Sequence, residues 1–224
     1  MFSVLFEVQP RADSWDAYLG YAKMLKPELE QIDGFVDNVR YRSLTRDGWL
    51  LSLSGWQDEK ALVRWRTHAL HHGVQEKGRS QTFRDYRLRV GQVTRDTRLP
   101  DGCALKEQRL DETETGDATT IVLIDMRRDA EWVKTASARD VAGALGLREN
   151  AAGLASWDVF DAVLTPGDIV LLSAWRDVQC ADAFADTLAL PDGARLRSVR
   201  VVRDYGMYDR REAPQYYPDA PRPA

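Results

Sequence analysis

The feature that most restricts how this chain can fold is an internal repeat. Gly34 to Asp58, GFVDNVRYRSLTRDGWLLSLSGWQD, and Gly153 to Asp177, GLASWDVFDAVLTPGDIVLLSAWRD, align at a constant offset of 119 residues. Gly34 meets Gly153, Gly48 meets Gly167, Ser54 meets Ser173, Trp56 meets Trp175 and Asp58 meets Asp177. Farther on, Val93-Thr94-Arg95-Asp96 matches Val201-Val202-Arg203-Asp204 at an offset of 108, so the second copy has lost about eleven residues. The loss falls after the W-x-D motif, where the first copy carries Arg64 to Gly78. Self-similarity of this kind makes each copy one structural unit, and the 224 residues divide into two.

Periodicity reads the same way in both copies. Phe2, Val4, Phe6 and Val8 alternate with more polar neighbours and predict a strand with one buried face. A helix follows, with Asp13 and Ser14 as cap candidates and Trp15, Leu19, Ala22, Leu25, Leu29 and Ile32 as one apolar stripe. Pro27 lies off that stripe and should bend the helix, and Gly34 closes it. Phe35–Leu44 and Trp49–Trp56 predict a hairpin around Arg46-Asp47-Gly48, then a helix from about Asp58 to Glu76 and a strand over Asp85–Arg95. The second copy repeats the order: Thr119–Arg127, a helix from Ala130 to about Leu147, Leu154–Leu164, Ile169–Trp175, a shorter helix over Val178–Leu188, and Arg195–Tyr205.

Strand-helix-strand-strand-helix-strand is the ferredoxin-like order, an antiparallel sheet with both helices on one face. The bare faces of two such sheets can bury each other. The expected fold is therefore α+β: two tandem ferredoxin-like βαββαβ domains packed sheet to sheet as an intramolecular barrel. The boundaries expected are a first domain over 1–98, an acidic linker over 99–117 around Asp111-Glu112-Thr113-Glu114, a shortened second domain over 118–208 and a Pro-rich tail over 209–224. Tyr216 and Tyr217 of the tail are candidates to pack back on a domain.

Thirty-five acidic against 31 basic residues give a formal charge of −4, which argues against nucleic acid as a partner. The basic excess lies before residue 100 and the acidic excess after it, which a solvated linker accounts for. No basic segment leads an apolar core at the start, and no apolar run is long enough to span a membrane. Cys103 and Cys180 are too few for a disulfide framework and lack C-x-x-C spacing, so the expectation is a reduced, cytoplasmic protein.

All three histidines, His68, His71 and His72, fall within five residues, in the helix that the second copy shortens. On a continuous helical wheel Ala61, Leu62, Trp65 and Ala69 mark the inward face. His72 then falls near its centre, His68 on its margin and His71 outward. A histidine at the lip of an apolar pocket can serve as general base or as haem ligand. Without a Glu between His68 and His72 there is no zinc motif. Trp65, which shares the face with His68 and His72, is the candidate pocket wall, whereas Trp56 and Trp175 are expected to pack structurally. Salt bridges to Asp37, Asp47 or Asp85 are the expected role of Arg40, Arg42, Arg87 and Arg89.

Several stretches are similar to the antibiotic biosynthesis monooxygenase family of dimeric α+β barrels. They are Phe2-Ser3-Val4-Leu5-Phe6-Glu7-Val8, Pro27-Glu28-Leu29, Ile32-Asp33-Gly34-Phe35, Leu51-Ser52-Leu53-Ser54-Gly55-Trp56, Trp65-Arg66-Thr67-His68-Ala69-Leu70-His71 and Phe83-Arg84-Asp85-Tyr86-Arg87-Leu88-Arg89-Val90. The segment Val202 to Pro214 resembles the C-terminus of single-domain members. The resemblance implies either a cofactor-independent oxygenase of polycyclic phenols or a haem-degrading oxygenase. In the first class the pocket removes a phenolic proton and the carbanion reduces dioxygen; Trp65, His68 or His72, and Arg66 would supply wall, base and anion stabiliser. In the second, an Asn early in the first strand and a haem-ligating His about ten residues after the Trp are expected. Here Glu7 or Val8 and Gln75 stand at those places. Relatives of W-R-x-H-x-x-H form match at His68 and His71.

The expected function is a monooxygenase that acts, without metal or cofactor, on an aromatic or quinone-like small molecule and dioxygen in a pocket of the first domain. Its expected site residues are His68, His71, His72, Trp65 and Arg66. Haem binding or degradation, and a non-catalytic small-molecule binding module, are the alternatives. The chain is expected to be a monomer with an internal pseudo-dimer, or a homodimer of it.

Overall fold

Alternating apolar residues on every strand bury one side of each strand against its counterparts, and eight such strands close on themselves. The computed structural model describes residues 1–106, 108–217 and 220. Strands β1 (Phe2–Pro10), β2 (Phe35–Ser43), β3 (Leu50–Trp56) and β4 (Phe83–Asp96) come from the first half. Strands β5 (Thr120–Arg127), β6 (Leu154–Ala162), β7 (Asp168–Trp175) and β8 (Arg195–Gly206) come from the second. They form one closed antiparallel barrel in the order β1-β3-β2-β6-β7-β5-β8-β4. Its interior holds Leu5, Leu51, Leu53, Leu123, Phe160 and Leu172 in one apolar cluster drawn from both halves.

The helices cover the outside. α1 (Trp15–Glu30), α2 (Glu59–Thr67) and α3 (Ala69–Lys77) lie over the first half, with a π-helical turn over Gly78–Thr82 leading into β4. α4 (Ala130–Thr135), α5 (Ala138–Ala144) and α6 (Val178–Thr187) lie over the second. Two helices expected to be continuous are broken. The one expected from Ala130 to Leu147 stops because Ser137 starts a new helix, its hydroxyl on the Asp140 amide and the Asp140 carboxylate returning to the Ser137 amide. The one expected from Asp58 to Glu76 breaks at His68, whose backbone is extended (φ −61°, ψ 128°). α1 runs through Pro27 to Glu30. Pro218, Pro221 and Pro223 of the expected irregular tail lie outside the described residues. Among the described residues no helix is long and apolar enough to cross a membrane.

The repeat residues do the same work in each half. Gly34, Gly153, Gly48 and Gly167 all have positive φ (83°, 79°, 73° and 96°), the left-handed conformation that favours glycine. The Trp56 and Trp175 indoles each donate to Ser54 and Ser173, both at 3.0 Å, and both rings are buried. Asp58 and Asp177 each cap the following helix, accepting from the Ala61 and Cys180 amides at 2.8 Å. The motif S-x-W-x-D is thus a strand-to-helix corner, a structural use for both tryptophans.

Two ladders join the halves. β4 and β8 pair over most of their lengths, but β2 and β6 share only Tyr41–Ala162, Arg42–Asp161 and Ser43–Phe160. Side chains reinforce the short seam. Arg42 pairs with Asp161 at 2.8 Å, and the buried Asp158 carboxylate accepts from Ser43 (2.8 Å), Thr45 (2.5 Å) and Arg46 Nε (2.8 Å). Arg46 also reaches Glu7 at 2.5 Å, and Glu7 pairs with the fully buried Arg89. Burial alone would raise the Glu7 carboxyl, but Arg89 and Arg46 together hold it below its ordinary value. Removing one member of a buried ionic set strands the others, at a cost of about 3–5 kcal/mol. Asp158→Ala is therefore expected to lower unfolding stability by about 3 kcal/mol in urea titrations. A loss below about 1 kcal/mol would show that the seam holds without it.

Candidate functional site

The strand face outside the barrel in the first half should be apolar throughout, because helices cover it; it is not. Strand pairing lays out two rows across β2, β3, β1, β4 and β8. One row runs Arg40, Ser52, Phe6, Leu88, Tyr205 and the other Asn38, Ser54, Val4, Val90, Arg203. All ten line one cavity of about 190 Å³, roofed by Tyr18, Leu25 and Leu29 of α1, Leu62 and Trp65 of α2, and His71, Val74 and Gln75 of α3. Apolar and aromatic side chains make most of the wall, with a few polar groups aimed inward.

The break at His68 decides which histidine enters. Ending α2 leaves the Trp65 carbonyl without its usual helical amide four residues on; it accepts instead from the His68 backbone N–H at 3.2 Å and from the His71 ring, through Nδ1, at 2.9 Å. A carbonyl can only accept, so His71 carries its proton on Nδ1 and leaves Nε2 as an acceptor. The His71 ring lies flat on Trp65, 4.2 Å between centroids and 13° between planes. Burial, with the neighbouring His68 and His72 adding to it, pushes the His71 pKa down to about 4 despite the Trp65 hydrogen bond, so it is neutral at physiological pH.

The continuous wheel is corrected here. His71 lines the cavity, whereas His72, expected inward, stacks on Tyr217 of the tail, and His68 stacks on Trp65 at 5.7 Å between centroids with Nε2 3.6 Å from Glu28. The extended residue between α2 and α3 resets the phase of the helix, which a wheel through Asp58–Glu76 cannot show. Trp65 and Arg66 both line the cavity. The Arg66 Nε is buried without a hydrogen-bond partner.

Three of the four strand arginines form ion pairs, but with partners from other strands than the expected Asp37, Asp47 and Asp85. Arg42 meets Asp161, Arg87 meets Asp204 at 2.5 Å, and Arg89 meets Glu7. Arg40 opens instead into the cavity.

The second half does more than complete the barrel. β8 supplies Arg203 and Tyr205, and the tail supplies Pro214. Gln215 donates to Gln75 at 3.0 Å, and Arg210 donates to the Tyr86 hydroxyl at 2.6 Å while lying over Tyr205 and Tyr217. Tyr217 therefore packs back, while Tyr216 is exposed. Sequence reasoning missed Tyr18, Arg203, Tyr205 and Pro214. One signal was available: by strand alternation Asn38, Arg40, Ser52 and Ser54 fall on the helix-covered face, where polar residues need a reason.

Residues 1–77 match the family model described as antibiotic biosynthesis monooxygenase. The chain is 47% identical over 225 residues to "Jasmonate monooxygenase ABM" of Pyricularia oryzae, covering 98% of this chain and 100% of that protein. A shorter likeness, 39% over 49 residues, links it to the uncharacterized protein YqjZ of Bacillus subtilis, covering 22% of this chain and 43% of that one. Among solved structures, a crystal structure of aldoxime dehydratase superposes with a TM-score of 0.53 at 13% identity, covering 89% of this chain and 80% of that chain, a likeness of fold alone. With near-complete coverage at that identity in Pyricularia oryzae and the family model matching residues 1–77, the chain belongs to the antibiotic biosynthesis monooxygenase family.

Proposed function

We propose that the protein is a cofactor-independent monooxygenase whose site is the cavity under α1–α3. The observation that carries this reading is His71, a neutral imidazole with its Nδ1 proton pinned to Trp65 and its Nε2 left as acceptor, set in an aromatic wall. Such a group can take a proton from a bound molecule in a site that excludes water. The substrate then has to be one whose anion reduces dioxygen directly: a phenol, or a carbon acid beside a carbonyl.

The step balances without an external reductant. The substrate proton passes to His71 Nε2, and the carbanion gives its electrons to dioxygen, forming a carbon–oxygen bond and a peroxide. Loss of the second hydrogen from that carbon with cleavage of the O–O bond leaves a carbonyl and releases water. One oxygen atom ends in the product, one in water, and the substrate supplies all four electrons. Arg66, with its unpartnered Nε, stabilises the developing anion.

Two substrate classes fit. Jasmonate, named for the 47%-identical relative, carries an enolisable ketone. The aromatic or quinone-like class fits the ring-lined wall formed by Phe6, Tyr18, Trp56, Trp65, Phe83 and Tyr205. The haem reading is not favoured: Gln75, at the place of the expected ligand, is tied to Gln215. We also read the chain as two fused copies that act as a monomeric pseudo-dimer.

Dioxygen uptake with jasmonate and with an anthrone-type phenol tests the reading. Turnover of either is expected to consume one dioxygen per substrate and to fall about 10²- to 10⁴-fold in His71→Gln. No uptake with either compound, or full activity in His71→Gln, contradicts it. A His71 pKa of about 4 keeps the free enzyme's base unprotonated, so kcat/KM should stay level from neutrality to about pH 5 and fall near pH 4. A fall centred near pH 6.5 would point to a solvated histidine instead.

Stability should follow the same group. Between pH 6.5 and about 4 the unfolded chain binds a proton at this residue that the native state does not. Unfolding free energy is therefore lost as pH falls through that window, by about 3 kcal/mol, and this part of the loss is absent in His71→Gln. Equal pH dependence in the two proteins would contradict it.

A further inference from the structure

Arg40 lines the cavity and makes no salt bridge among the described residues, unlike Arg42, Arg87 and Arg89. Its Nε is buried without a partner. Around it lie Tyr18, whose hydroxyl is electrostatically coupled to the Arg40 guanidinium, and Ser52, its partner across the β2–β3 ladder. Guanidinium nitrogens only donate, so toward Arg40 the Tyr18 oxygen can only accept, and its own proton remains free to donate. The Ser52 hydroxyl accepts from Asn38 Nδ2 at 2.9 Å, which leaves its proton free as well. Arg40 Nε, the Tyr18 hydroxyl and the Ser52 hydroxyl thus offer three donors at this spot, and the charge is positive. What completes it is an anion with two acceptor oxygens.

The fold does not require this group. At the offset of 119, Asn38, Arg40 and Ser52 correspond to Trp157, Val159 and Leu171. Those three pack into the apolar core between the second half's strands and α4–α6. One frame thus carries two fillings, and the polar one exists only where there is a cavity to serve.

We infer that Arg40, Tyr18 and Ser52 form the seat for a carboxylate, so that the substrate is an apolar molecule bearing one carboxylate group. Binding at the seat is independent of the monooxygenase reading, and only the chemistry of the bound molecule rests on it. The seat is built on β2, β3 and α1, while His71 lines the same cavity from α3. Anchoring the carboxylate at Arg40 turns the rest of the molecule toward His71, so the seat selects both the substrate and the carbon presented to the base. Arg40 is accordingly a binding residue.

The test is binding, measured by quenching of tryptophan fluorescence under anaerobic conditions, of two acid and ester pairs: jasmonate with methyl jasmonate, and 2-naphthoate with its methyl ester. The wild-type protein is expected to bind at least one acid about 10- to 100-fold more tightly than its ester. Arg40→Met should abolish that preference through loss of acid affinity, with ester affinity unchanged, and Arg40→Lys should retain part of it. An apolar side chain is compatible with the strand, as Val159 shows in the second half, and an unchanged circular dichroism spectrum checks the fold. Equal binding of acid and ester, a preference that survives Arg40→Met, or no binding of either pair overturns the seat. An acid that binds through Arg40 but supports no dioxygen uptake leaves the seat standing and removes the oxygenase reading instead.

Discussion

The barrel depends on closure at a short seam. A β-sheet edge left open exposes unpaired backbone groups, and β2 and β6 provide only three residue pairs to prevent that. Asp158 makes up the deficit by gathering three donors from the β2–β3 hairpin of the other half, and through Arg46 it joins the Glu7–Arg89 pair inside the barrel. With the seam closed, β4 and β8 can run side by side, which brings Arg203 and Tyr205 beside β4 and Pro214 of the tail to the cavity wall. The site therefore belongs to the whole chain, although its helices come from one half.

The two halves share a frame and differ in what fills it. Glycines with positive φ, the Ser–Trp hydrogen bond and the Asp cap recur at equivalent places and fix the strand-to-helix corner. Over the second half, Trp175 stacks on Phe184 at 4.7 Å, and Trp157, Val159 and Leu171 fill the space beneath the helices. Over the first, the insertion that carries the histidines lifts α3 over the strands, and polar side chains on β2 and β3 face the space left. Asymmetry of this kind costs the fold little, because the frame is maintained by residues outside the cavity.

The order of strands along the chain, the hairpins and the placement of both buried tryptophans were legible in the sequence, since each rests on local alternation or on a repeated turn. Two features that bear on the site and on the ion pairs were not. The break at His68 has no glycine or proline to announce it; it is stabilised by a side chain, the His71 ring on the Trp65 carbonyl, which becomes visible only in three dimensions. The partners of Arg42, Arg87 and Arg89 were also hidden, because each ion pair joins residues more than 80 positions apart. The polar patch at Asn38, Arg40 and Ser52 was readable in principle by setting each residue beside its counterpart 119 positions later.

The central claim is that one molecule of substrate occupies the cavity between α1–α3 and the outer strand face, with its reacting carbon at His71. The most direct measurement is a crystal structure of the protein with a bound substrate, grown without dioxygen. The predicted result is one ligand per chain, its reacting carbon or phenolic oxygen within hydrogen-bonding reach of His71 Nε2 and its body against Trp65, Phe6 and Tyr205. A ligand inside the barrel, beneath α4–α6, or held with its reacting atom away from His71 would contradict it.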